Sequence, residues 1–278
     1  MSRAALATVV AVSGTGLALA GCGSSAKTTS PSVRRAPGNA RRLSVVTSAA
    51  TKTAQVKGAS VAMTGKISTP SGPLVMQANG VFALDQKQGR LDIRFSGAES
   101  LTMTELFDDY VLYMKAPELS SAAHGKTWLE LDVRKYVKAL GGNLSELTSG
   151  NPSDMLQRLR ATGTVRQAGT GTVRGVSATH YVASIDVDKV AKQSGLGKLF
   201  AKTKIEYSPE EVWIDRSGYL RRIKTSYSAE AQGKKVAIAV TMDFFDLGAP
   251  VHVALPAPAD VYDATSDLAA AANKAIGG

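Results

Sequence analysis

The chain has 278 residues, 44% of them hydrophobic, with 33 basic and 23 acidic side chains and a formal net charge of +10. That apolar content excludes a wholly disordered chain and suffices for one sizeable core. A single cysteine excludes an intramolecular disulfide, and with no H-x-x-x-H spacing the sequence offers no zinc-type site.

The first residues are Met1-Ser2-Arg3, followed by an uncharged run rich in Ala, Val and Leu from Ala4 to Ala20. A positive start followed by an apolar run is the pattern of a secretory signal. The run falls short of the roughly 20 apolar residues of a spanning helix. It ends in Leu19-Ala20-Gly21-Cys22, which resembles the bacterial lipobox, where an aliphatic and two small residues precede a cysteine that receives diacylglycerol. Cys22 is also the chain's only cysteine. A stray thiol after an ordinary signal is the competing reading, and the placement of the one thiol at the lipobox decides against it. Residues 1–21 are therefore expected to be removed as a lipoprotein signal peptide, leaving Cys22 lipidated and the protein anchored to a membrane.

Residues 22–42 read as a flexible tether: from Gly23 the sequence is rich in Ser, Thr, Pro and Gly and cannot bury enough apolar surface to fold. This stretch carries Lys27, Arg34, Arg35, Arg41 and Arg42 and no acid. Attraction to anionic lipid headgroups and nucleic-acid binding both call for such charges. An exported tether without an aromatic residue favours the membrane, and no nucleic acid is expected as a partner. Residues 43–278 hold 27 basic and 23 acidic residues, a net of +4, and no second linker divides them. One domain is expected there.

Leu43, Val46, Ala50 and Ala54 have helical spacing and predict a helix over Leu43–Gln55. Alternating strands follow: Val61, Met63 and Ile67; Leu74, Met76, Ala78 and Phe82; Leu91, Ile93 and Phe95. The turns Thr69-Pro70-Ser71-Gly72 and Asp85–Gly89 separate them. Strands around Leu101-Thr102-Met103 and Val111-Leu112-Tyr113 flank the turn Asp108-Asp109, and Trp128–Leu131 is strand-like. Asn151-Pro152 opens a predicted helix to Leu159, and Asp186 caps another over Val187–Ser194. Strands over Thr164–Val173 and Thr179–Ile185 lie between them. Glu211–Ile214 and Tyr219–Tyr227 form a hairpin, Val236 to Phe244 alternates most cleanly, and Ser266–Ala275 is a closing helix. Meander, helical insert and meander together predict an α+β fold, a curved antiparallel sheet covered on one face by helices.

Several segments carry a family resemblance: Tyr110–Tyr113, Trp128–Asp132, Gly175–Asp186 (GVSATHYVASID), Val212–Arg222 (VWIDRSGYLRR) and Phe244–Val253 (FFDLGAPVHV). In this order they resemble the actinobacterial and mycobacterial lipoproteins of the LppX/LprG group, itself similar in fold to the carriers LolA and LolB. The resemblance implies a curved antiparallel half-barrel with helices on its concave face, enclosing an apolar cavity for the acyl chains of a lipid or glycolipid. It supplies no catalytic set, no cofactor and no ligand-contact motif. With the Ala-, Gly- and Arg-rich composition it implies an actinobacterial setting, with the anchor on the extracytoplasmic face of the cell membrane.

The candidate lipid-binding residues are the apolar strand positions Val61, Met63, Leu74, Met76, Phe82, Leu91, Ile93, Leu101, Met103, Ile238, Val240, Met242 and Phe244. Methionine suits adaptable apolar pockets because it is unbranched and polarizable. Periodicity alone fits a solid core equally well, while the small residues Ala78 and Gly80, in phase with Met76 and Phe82, are expected to leave room. A mobile lid is expected among helices between residues 133 and 200, with hinges at Gly141-Gly142 and at Gly195 and Gly197. His180 lies near Ser177, Ser184 and Asp186, but the order fits no catalytic triad and no G-x-S-x-G turn is present. Gly169-Thr170-Gly171 and Gly195–Lys198 lack the phosphate-loop pattern. The pairs Asp108–Asp109 and Glu210–Glu211 read as solvated turns. No enzyme is expected. An envelope sensor or scaffold of the same fold, binding a protein partner instead of lipid, is the alternative.

Overall fold

The computed structural model describes residues 37–69, 72–85, 87–97, 100–140, 162–185, 204–231 and 234–277. Cys22, most of the tether, both helices predicted at Asn151–Leu159 and Val187–Ser194, and the proposed glycine hinges lie outside the described residues.

Helix α1 runs over Pro37–Ala54, beginning six residues before the predicted Leu43. Strands β1 (Ala59–Thr69), β2 (Gly72–Ala83), β3 (Gln88–Ser96), β4 (Leu101–Asp108) and β5 (Val111–Lys115) form a meander, and β6 (Trp128–Asp132) leads into α2 (Val133–Ala139). The second meander comprises β7 (Thr162–Val173), β8 (Val176–Ile185), β9 (Lys204–Tyr207), β10 (Glu210–Asp215), β11 (Leu220–Ala231) and β12 (Lys234–Phe245). A short β13 (Val261–Asp263) precedes α3 (Thr265–Gly277).

All thirteen strands belong to one sheet in the order β13-β6-β5-β4-β3-β2-β1-β12-β11-β10-β8-β7, with β9 beside the far end of β11. The two meanders are joined where β1 pairs antiparallel with β12, from Ser60 against Phe245 to Ser68 against Ala237. Every pairing is antiparallel except that of β13 with β6. The fold is therefore α+β, a large, open, curved and mostly antiparallel sheet with helices on its apolar face.

Alternation decides that face. In β3 every second residue, Leu91, Ile93 and Phe95, is buried, while Arg90, Asp92 and Arg94 are exposed. In α1, Val46, Ala49 and Ala50 enter the same core. The helix is fastened at both ends. Near its start, Asn39 Oδ1 accepts a bond of 2.7 Å from the backbone N–H of Val165 on the edge strand β7. Near its end, buried Thr53 Oγ1 accepts the Leu220 N–H at 2.9 Å, and Lys52 donates to the Ser217 carbonyl at 2.6 Å.

The adjacent strands β6 and β13 feed α2 and α3, which pack on each other. Asp132 caps α2 by accepting from the backbone N–H groups of Arg134 and Lys135, at 2.9 and 3.1 Å. Asp263 plays the same part for α3, accepting from Thr265 N–H at 3.0 Å. Thr265 in turn accepts the Asp132 N–H through its hydroxyl at 2.9 Å, which ties the two helix starts together.

Candidate functional site

The thirteen candidate residues all lie on the inward face of the sheet. Strand register arranges them in rows. One row runs Met103, Ile93, Ala78, Met63 and Met242 across β4, β3, β2, β1 and β12. A neighbouring row runs Leu101, Phe95, Met76, Gly65 and Val240. Leu91, Gly80, Val61 and Phe244 form a third, and Leu74, Ile67 and Ile238 a fourth. Twelve of the thirteen are buried, and Leu74 is half-buried against the same cluster. Phe82 closes one end, its ring 5.4 Å from that of Phe107.

The face is wider than the candidate set. Leu112 and Met114 of β5, Leu129 and Leu131 of β6, Val212 of β10 and Ile223 of β11 continue it on either side. Their signal was the same two-residue period, carried in β5, β6 and β10 by strands of only five or six residues. Met63, Met76, Met103, Met114 and Met242, five of the chain's seven methionines, point into it.

Gly80 does not leave room. A Cβ there would lie 1.8 Å from the carbonyl oxygen of Arg90, so the glycine permits β2 and β3 to approach closely. Gly65 is less confined: a Cβ would meet the Met76 side chain, its Cε at 3.1 Å and its Cβ at 3.3 Å, with the nearest backbone atom, the Ala239 carbonyl oxygen, at 3.7 Å. Gly89 is covered by the ring of Phe82, its cross-strand partner on β2.

Two carboxylates interrupt the apolar face, and sequence reasoning identified neither. Glu105 is in phase with Leu101 and Met103, fully buried, and stands between Leu91 and Met114 in the register. Glu210 is also buried and accepts a hydrogen bond from Thr225 Oγ1 at 3.2 Å. The reading of Glu210–Glu211 as a solvated turn is thereby corrected. Consecutive residues of a strand point to opposite faces, so Glu210 is inside and Glu211 outside. Asp108 and Asp109 do form the β4–β5 turn, with Asp109 held by Lys87 and Arg134.

His180 sits on the outer face. Its ring stacks on Trp213 at 4.2 Å with the planes 1° apart, and Nε2 is 3.0 Å from Glu211. Ser184 bonds instead to Thr164, so these two residues form no nucleophile–base pair. Around His180 the outer face carries a polar ladder. Lys224 bonds Glu211 at 2.7 Å and holds its carboxyl below the usual range. Arg222 grips Asp243 through two bonds of 2.6 and 2.8 Å, which raises the guanidinium's pKa further. Such cross-strand pairs stabilise a sheet.

A recess of about 560 Å³ opens at the strand ends, lined by residues that include Arg174, Tyr219, Arg221, Phe245 and Leu247. Tyr219 and Arg221 come from the segment Val212–Arg222, and Phe245 to Gly248 from Phe244–Val253, both of which carried the family resemblance; Val56, Arg174 and Val176 complete the lining. Among the described residues no group of three metal-ligating side chains converges, and no helix is long and apolar enough to cross a membrane.

No family model matches the chain. A curated relative, the uncharacterized 31.2 kDa protein in the rplA-rplJ intergenic region of Streptomyces griseus, is 23% identical over 184 residues, or 62% of this chain. The match spans 59% of that relative's length. Among solved structures, the Mycobacterium tuberculosis lipoprotein LppX aligns over 77% of this chain and 99% of its own, at 14% identity and a TM-score of 0.45. LprF from Mycobacterium bovis aligns over 78% and 98%, at 13% identity and a TM-score of 0.41. The chain is similar to mycobacterial lipoproteins. A putative outer membrane lipoprotein-sorting protein domain from Vibrio parahaemolyticus aligns over 77% and 94%, at 10% identity and a TM-score of 0.29.

Proposed function

We propose that this chain is a lipid-anchored envelope lipoprotein that binds the acyl chains of a lipid or glycolipid on the apolar face of its sheet. The observation that carries this reading is the continuous, methionine-rich inward face, which gathers Met63, Met76, Met103, Met114 and Met242 from β1, β2, β4, β5 and β12. A face of flexible, polarizable side chains can repack around a cargo of variable shape. Each methylene transferred from water to such a surface contributes about 0.8 kcal/mol, so a single acyl chain supplies the driving force without any catalytic chemistry. The thirteen candidate residues are the proposed contact set. Cys22 is the proposed anchor, holding the domain at the extracytoplasmic face of the cell membrane beside its source of cargo.

Native mass spectrometry and lipid extraction of the purified protein test the binding. Co-purified lipid, or saturable uptake of a fluorescent fatty acid, is the expected result. Recovery of neither would favour the sensor or scaffold reading, in which the same face is a filled core. The anchor is tested separately: Cys22→Ser should move the protein from the membrane to the soluble fraction of cells.

A further inference from the structure

Charge is divided unequally between the two halves of the sheet. Among described residues, α1 with β7–β12 and their connections, residues 37–57 and 162–246, carries thirteen basic and seven acidic side chains. The remainder, residues 58–140 and 247–277, carries ten basic and eleven acidic ones. Two acids of the basic half, Asp215 and Asp243, are buried against Arg221 and Arg222, so the excess charge rests on its other basic side chains. Helix α1 contains no acid at all, and its Arg41 and Arg42 are exposed. The bond from Val165 N–H to Asn39 sets the start of α1 against the edge of β7, while Arg166, the next residue of that strand, points to the opposite, outer face of the sheet. Neither Arg41 nor Arg42 has an acidic partner within ion-pair distance among the described residues.

We infer that this face, α1 with the edge strand β7, lies against an anionic lipid bilayer and fixes the orientation of the domain on it. The inference rests on the proposed anchor at Cys22. Fourteen residues separate Cys22 from Pro37, where α1 begins. Fourteen residues reach at most about 50 Å. Surface attraction decays over about 8 Å at physiological ionic strength, so it acts on those side chains that come into contact with the headgroups. The chain leaves the domain at the same end that carries the excess charge. An anionic bilayer is therefore both the nearest surface and the complementary one. Each basic side chain close to such a surface strengthens the association about fivefold. Arg41 and Arg42 together strengthen it about twenty-five-fold.

The test uses the full, lipidated chain in nanodiscs of phosphatidylcholine with or without phosphatidylglycerol. Lipidation consumes the only native thiol, so a fluorophore can be placed singly at Ser44→Cys on α1 or at Lys274→Cys on α3, both exposed positions. Energy transfer to a headgroup acceptor should be higher from position 44 than from 274 in phosphatidylglycerol discs. The difference should shrink in neutral discs, in high salt, and in the double variant Arg41→Glu/Arg42→Glu. Equal transfer from both sites in anionic discs, or a difference that survives the charge reversal, would overturn the inference. So would loss of the position-44 signal on adding poly(glycerol phosphate) to neutral discs only, which would assign the face to an acidic wall polymer. Protein that fails to remain on either disc would instead refute the anchor.

Discussion

The substitution Ala78→Trp separates a lipid-binding face from a filled core. Ala78 is 1% exposed, points inward between Met63 and Ile93, and lies at the centre of the row running from Met103 to Met242. In a core packed at crystal density an indole has no space. Forcing it in costs about 1–3 kcal/mol, occasionally more. For a domain of this size each kcal/mol lowers Tm by about 2–4 °C. If the face instead borders a volume filled by cargo, the indole enters that volume and Tm changes little. It then displaces about four methylene groups at about 0.8 kcal/mol each, which weakens lipid binding about two-hundredfold. Gln77→Trp, one residue away on the exposed face, is the control and should alter neither property. Thermal unfolding of delipidated protein and titration with a fluorescent fatty acid give the two readouts. A folded Ala78→Trp protein with undiminished uptake refutes the placement. A large fall in Tm with uptake intact shows that this row is core.

Three further substitutions test the frame around the face. Gly80→Ala puts a Cβ 1.8 Å from the Arg90 carbonyl oxygen and should destabilise by about 3 kcal/mol in denaturant titration, although it adds only a methyl group. Thr53→Val keeps the shape but removes the acceptor of the buried Leu220 N–H, bonded at 2.9 Å, and should cost about 1–3 kcal/mol. Glu130→Gln should stabilise at neutral pH. Burial, with Asp263 and Asp132 nearby, raises the Glu130 carboxyl pKa above its ordinary value, so the charged form is disfavoured in the folded state. That penalty is absent below the unfolded pKa and appears as pH rises through it. The variant's advantage should therefore vanish in acid, and an advantage constant with pH would contradict the assignment.

Long alternating strands were legible because each carries enough two-residue periods to fix its phase. Val61 to Ile67, Leu91 to Phe95 and Val236 to Phe244 all occupy the face that phase assigns. Elements of three or four residues were not legible: β9 and β13 contain too few periods, and the parallel partner of β13 is β6, more than a hundred residues earlier in sequence. The start of α1 was missed for a chemical reason. Its first six residues, Pro37 to Arg42, present no apolar stripe, and only the bond from Asn39 to β7 shows why helix forms there. Glu105 was visible in the pattern but its phase was not followed, since a charged residue seldom occupies a core position. Gly80 was read from size alone. The same absence of a side chain that suggests a void also permits backbones to touch, and only the register distinguishes the two.

The bonds around α1 also constrain how an apolar face could be loaded. A lid must separate from the sheet at modest cost, and α1 is poorly suited to that. It is held by Asn39 to β7, by Lys52 and Thr53 to the β10–β11 hairpin, and by Val46, Ala49 and Ala50 in the core. Each hydrogen bond contributes about 1 kcal/mol, and Leu220 N–H would lose its partner on opening. At the other edge, α2 and α3 are tied together through Thr265 and the caps of Asp132 and Asp263. The described helices are therefore fixed walls at the two ends of the sheet. Between them lie β1–β4 and β12, the strands that carry all thirteen candidate residues. In the proposed mechanism cargo must reach this central stretch without displacing α1, which leaves the helix free to act as the domain's contact with the membrane.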